Sequence, residues 1–124
     1  MSAAHVHFLM QMRDQIKVYH WQTKSFSRHK ATDEVVGKLD ENIDQFVEVY
    51  MGKYGRFKLG AATNTIKLVN MSEATALKFI RGCEASLRRQ IREKLDERRD
   101  SELANICDEI LADLNQLLYL FSLK

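Results

Sequence analysis

A chain of 124 residues with 45% hydrophobic and 29% charged side chains has the composition of one ordinary globular domain, expected over 1–124, with a modest core that oligomerisation would enlarge. A formal net charge of +2 is too weak to point to nucleic acid or a membrane surface. The most apolar stretch, 114–123, is too short to span a bilayer, and residues 1–7 lack the basic-then-apolar order of a secretory signal, so a soluble, intracellular protein is expected.

The chain has no proline, which suits long helices, because proline removes a backbone donor and breaks the helical ladder. Four segments carry a 3.6-residue apolar period. The first covers about 3–23, with Phe8, Met12, Ile16, Tyr19 and His20 on one stripe; His5 and His7 stand close to the terminus, where no structure is expected. The second covers about 28–54, with Val36, Leu39, Ile43, Val47 and Tyr50. The third covers 72–95, with Ile80, Cys83, Leu87, Ile91 and Leu95. The fourth covers 101–123, with Leu103, Cys107, Ile110, Leu114, Leu117 and Phe121, and Asp100 is expected as its N-cap. No strand alternation or internal repeat is visible. Cys83 and Cys107 fit no metal-ligand spacing and fall at apolar helical positions, so buried, reduced thiols are expected.

A tight joint at 25–27 makes the first two helices antiparallel neighbours. The connection at 55–70 is long enough to carry the chain along a bundle. An all-α fold follows, a ferritin-like four-helix bundle with one long crossover between helices two and three.

The second helix has an acidic face beside its apolar one. At 100° per residue Asp33, Asp40, Glu41, Asp44 and Glu48 share one side, with Gly37 among them. Asp40/Asp44 and Asp44/Glu48 are like-charge i,i+4 pairs, which mildly destabilise a helix; such a face is either solvated or holds a cation. His29 stands one turn before Asp33, and His20 lies across the short joint. Imidazole with carboxylate suits iron or zinc, whereas all-oxygen sets suit calcium or magnesium. Asp40 and Glu41 would guide incoming cations.

His29 and Asp44 are about 22 Å apart along a helix, so the pairs His29/Asp33 and Asp44/Glu48 cannot hold one ion within one chain. Two copies of the helix packed antiparallel about a two-fold axis bring them together. The axis then falls near residues 38 and 39, beside Gly37, where a missing side chain allows close approach. Such a dimer carries two identical sites, each shared between subunits.

With these residues in place, the stretch Tyr19-His20-Trp21-Gln22-Thr23-Lys24 resembles the Y-H-W-N-x-K pattern of Dps-type mini-ferritins, and Leu39-Asp40-Glu41-Asn42-Ile43-Asp44 resembles their L-D-E-x-I-D. The spacing of His29, Asp33, Asp44 and Glu48 is similar to that of the family's second histidine and three following carboxylates. The resemblance covers roughly residues 8–55. It implies a ferritin-like bundle, a homo-oligomer built from two-fold dimers into a shell of twelve subunits, and a ferroxidase centre at the dimer interface. It also implies His20, His29, Asp33, Asp44 and Glu48 as metal-binding and catalytic residues. The implied activity is Fe(II) oxidation with hydrogen peroxide or dioxygen, with Fe(III) storage and protection against peroxide; zinc is the competing metal. Asp33 is either a ligand or the partner that orients a histidine. Trp21, beside His20, is either a radical-intercepting neighbour of the metal, as the family implies, or a packing anchor.

Two other readings compete. The same bundle could be a structural assembly subunit with a static or vestigial metal site. Arg88, Arg89, Arg92, Lys94, Arg98 and Arg99 could form a nucleic-acid surface, but their interleaving with Glu93, Asp96 and Glu97 points instead to a salt-bridged, solvated face.

Overall fold

The computed structural model describes residues 2–123; Met1 and Lys124, the ends of the domain expected over 1–124, lie outside them. Four helices account for most of the described residues: α1 (Ser2–Gln22), α2 (Phe26–Tyr54), α3 (Glu73–Gln90) and α4 (Ser101–Phe121). The protein is an all-α four-helix bundle with one long crossover, between α2 and α3, as the periodicity predicts. No helix among the described residues is long and apolar enough to cross a membrane.

The joint between α1 and α2 is set by Ser25, whose hydroxyl caps α2 by accepting the Arg28 N–H at 3.2 Å. It lies slightly earlier than the expected 25–27. From there α2 runs back along α1, and Arg13 meets Asp40 near its middle. α4 runs antiparallel to α2: Tyr54 donates to Asp100 at one end, and Asn42 bonds Asp113 further along. The apolar stripes converge on one core, with Leu9, Met12, Ile16, Leu39, Phe46, Ile80, Leu87, Leu103, Ile110 and Leu114 fully buried. Cys83 and Cys107 are free and buried within it, and burial pushes both thiols up to about 12.

Three sequence expectations need correction. α3 stops at Gln90, short of 95, and a 3-10 turn follows at Arg92–Lys94. The apolar stripe continues through buried Ile91 and Leu95, but polar contacts turn the chain: Arg92 reaches Asp108 and Glu97, and Asp96 accepts the N–H groups of Arg98 and Arg99. Asp100 occupies the N-cap position of α4 without capping it; its carboxylate takes the Asp96 N–H and the Tyr54 hydroxyl instead. His5 and His7 are helical, within α1. His5 is buried edge-on to Tyr50, with neither ring nitrogen hydrogen-bonded.

His7 belongs to a ladder that straps the crossover to α1. His7 Nε2 donates to Thr65 O at 2.7 Å, Gln11 Oε1 lies 3.4 Å from Lys67 N, and Gln15 both donates to Val69 O and accepts from Val69 N. The match is geometric. Four residues of helix rise about 6 Å, close to the rise of two extended residues, so alternate backbone groups of the strap meet successive turns of α1.

Asp113 is buried, and removal from water raises its carboxyl pKa, opposed by its bond from Asn42. A raised pKa means that the folded state disfavours the ionised form, so the penalty develops as pH rises from the ordinary carboxylate value through the folded one and persists above it. Asp113→Asn keeps an oxygen to accept from Asn42. It should raise the thermal midpoint at neutral pH, with a gain that shrinks as the pH of the melts is lowered toward 4; a gain independent of pH would contradict this origin.

Candidate metal centre

The α1–α2 joint positions three of the five predicted residues together. His20 closes α1 and is buried, His29 lies in the first turns of α2, and Asp33 follows one turn later. The two imidazole rings stack 4.0 Å apart at 14°. Each ring is pinned by the other residue's backbone: His20 Nδ1 lies 2.9 Å from His29 O, and His29 Nδ1 lies 2.9 Å from His20 O. A carbonyl oxygen only accepts, so both Nδ1 atoms carry hydrogen. In the neutral rings Nε2 therefore holds the lone pair. Metal-binding histidines use this arrangement, with the far N–H tied to a carbonyl and the near nitrogen free.

Thr32 completes the clamp and was not singled out from the sequence. Its fully buried hydroxyl lies 2.9 Å from His20 Nδ1 and donates to Arg28 O at 2.7 Å. Behind the joint, Tyr19 donates to Glu73 at 2.6 Å and accepts from Arg28, whose guanidinium also bonds Glu73 O and lies over Phe121. These contacts tie the joint to the start of α3 and the end of α4.

Burial lowers the His20 pKa, and the neighbouring His29 lowers it further. The free His20 Nε2 lies 4.0 Å from Asp33 Oδ1. That is too far for a hydrogen bond, yet two donors of one iron- or zinc-sized ion, each about 2.1 Å from it, can be this far apart. The Asp33 side chain is 69% exposed, so the cluster opens outward.

Asp44 and Glu48 lie on the exposed side of α2, about 16 Å and more from Asp33 along the helix. The fold does not bring them to the histidines. Among the described residues neither carboxylate has an ion pair or hydrogen-bond partner, and no three His, Cys, Asp or Glu side chains of one chain converge as a metal-holding group. The residues present fit a half-site: two oriented imidazoles and a carboxylate at one end of a face, two unpaired carboxylates at the other.

Neighbouring predictions fare differently. Asp40 is not a free guide for cations, because both its oxygens accept from Arg13, at 2.8 and 3.3 Å. Glu41 is exposed. Trp21 does not anchor packing within the chain; it is 67% exposed, with Lys17 over its ring and the His20 ring 6.4 Å away. Of the arginine cluster, Arg88 pairs with Glu84, and Arg92 with Glu97 and Asp108.

Nitrogen-detected NMR of the histidine side chains tests the clamp. In their neutral forms His20 and His29 should both show protonated Nδ1 and bare Nε2, and His20 should resist protonation below its ordinary pKa. A bare Nδ1 on either ring would contradict the geometry.

No solved structure matches the chain. A protein of Enterobacteria phage T4, described as an uncharacterized 14.6 kDa protein in the mobD-ri intergenic region, is 49% identical over 37 residues. That match covers 30% of this chain and 29% of the phage protein. A family model matches residues 20–121, a span that includes all five predicted site residues. The chain therefore belongs to the family of unknown function DUF5856.

Proposed function

We propose that two copies of this chain pair through α2 to form two shared iron sites, and that the pair oxidises Fe(II). The observation that carries this reading is the reciprocal pinning of His20 and His29, which leaves both Nε2 atoms free, that of His20 4.0 Å from Asp33 Oδ1. Asp44 and Glu48, unpaired among the described residues, lie on the same helix. An antiparallel α2 pair sets Asp33 opposite the partner's Asp44, and His29 opposite the partner's Glu48. Each site then holds two histidines and up to three carboxylates.

Gly37 supports the crossing point. It is exposed in mid-helix, and a Cβ built on it meets nothing within 4 Å. Glycine costs a helix interior about 1 kcal/mol relative to alanine, and packing within this chain gives no reason for it. A close approach between two α2 backbones would give one.

In this reading iron is the substrate. Carboxylate oxygens favour Fe(III) over Fe(II), and the imidazoles hold the Fe(II) form. His20, with its lowered pKa, offers a lone pair without competition from a proton at neutral pH. Each Fe(II) gives up one electron. Peroxide accepts two as its O–O bond breaks, and uptake of two protons leaves water. The twelve-subunit shell and Fe(III) storage implied by the mini-ferritin resemblance belong to the same reading, with the shared-site dimer as its unit.

Anaerobic addition of Fe(II), followed by peroxide or air, tests it. Ultraviolet absorbance of Fe(III)-oxo species should rise rapidly with the wild-type protein and fall to the protein-free rate in the Asp44→Ala, Glu48→Ala double variant. Zinc loaded first should block the reaction, because zinc binds such donor sets more tightly than Fe(II). Equal rates for wild type, variant and buffer would refute the ferroxidase and leave a bundle with at most a static metal site.

A further inference from the structure

The face that carries the half-site also carries an exposed tryptophan and an apolar groove. The groove, about 440 Å³, lies between α1 and α2, walled by Val6, Met10, Ile43, Val47 and Phe57, with Asp44 on its rim. Met10 is 42% exposed, and so is not a core side chain. Trp21, the one tryptophan of the chain, projects at the opposite end of the same helix pair.

Resting on the antiparallel pairing proposed above, we infer that Trp21 of each copy docks into the α1–α2 groove of the other. The axis between residues 38 and 39 of α2 fixes the level of every group. Trp21 follows His20, whose ring stacks on His29 and whose Nε2 approaches Asp33. The indole therefore stands at the level of residues 29–33 of α2. The two-fold operation carries that level onto residues 44–48 of the other copy, where Val47 walls the groove and Asp44 rims it. Both metal pairs and both indoles are thus satisfied by a single rotation.

Charge complementarity favours a second copy as the occupant. Lys17 lies over the Trp21 ring and Lys24 follows in the joint, and neither has an ion pair among the described residues. The same rotation sets these lysines against the end that carries Asp44 and Glu48. An indole buries about 150–250 Å², and tryptophan is among the residues that most often dominate binding energy at an interface centre. Trp21 and the groove are then the apolar anchor of the dimer, and the metal ligands are its polar flank.

The test uses the full chain with metal removed by chelation, so it does not depend on iron chemistry. Sedimentation gives the mass, and fluorescence reports Trp21 alone. As concentration rises and dimer forms, the emission should shift to the blue and acrylamide quenching should fall in step. Met10→Glu places a charge on the groove wall at a position exposed in the single chain. With helicity by circular dichroism unchanged, it should raise the dimer dissociation constant on the order of tenfold or more and keep the emission red. Trp21→Ala should weaken association similarly. Dimers in which Trp21 stays fully quenchable, or Met10→Glu dimers as tight as wild type, would overturn the docking and leave the shared metal site standing. A wild-type chain monomeric at every concentration, both without metal and with Zn(II) added, would overturn both. Protected dimers without iron oxidation would uphold the docking and refute the ferroxidase.

Discussion

The structure turns on two hydrogen bonds that cross at the α1–α2 joint, His20 Nδ1 to His29 O and His29 Nδ1 to His20 O. They satisfy the His20 carbonyl near the end of α1, where intrahelical partners are scarce, and reach the His29 carbonyl in the first turns of α2. They also stack the two rings, and with the buried Thr32 hydroxyl they decide which nitrogen of each ring faces outward. The fold constraint and the chemical constraint are therefore one. A joint rebuilt to another geometry would lose the helix pair and the donor set together.

From that joint the rest of the bundle is a problem of span. The chain leaves α2 at the far end and must return before α3 can begin beside Tyr19 and Arg28. It does so extended, fastened to α1 by His7, Gln11 and Gln15. The outer face of α1 and α2 stays open, and that is the face with Asp33, Asp44, Glu48, Gly37, Trp21 and the apolar groove. The burial that stabilises the monomer lies on the other side, among Leu39, Phe46, Ile110 and Leu114.

Much of this was legible in the residues themselves. The apolar periods place the helices to within a few residues, except at 91–95, where Ile91 and Leu95 keep the stripe while Arg92, Asp96 and Asp100 redirect the backbone. Nothing in a local pattern says which carboxylate a distant residue will engage, so Asp100 read as a cap and Asp40 as a free charge. The His7/Gln11/Gln15 spacing was present as an i,i+4 series, but a search for apolar periodicity passes over polar side chains. His20, His29 and Asp33 were legible because a short joint and one helical turn fix their proximity. The tautomer and the role of Thr32 were not, since both depend on how two helices meet in space.

In the proposed dimer each site draws its histidines from one chain and its second carboxylate pair from another, and complementation between two inactive variants reads this sharing. A chain with His20→Ala and His29→Ala is co-produced in equal amounts with a chain carrying Asp44→Ala and Glu48→Ala, each inactive alone. Random pairing makes about half the dimers mixed, and each mixed dimer has one complete site, so Fe(II) oxidation should return to about one quarter of the wild-type rate. If the mixture stays as inactive as its parents while mixed dimers are present, the sites are not shared between chains.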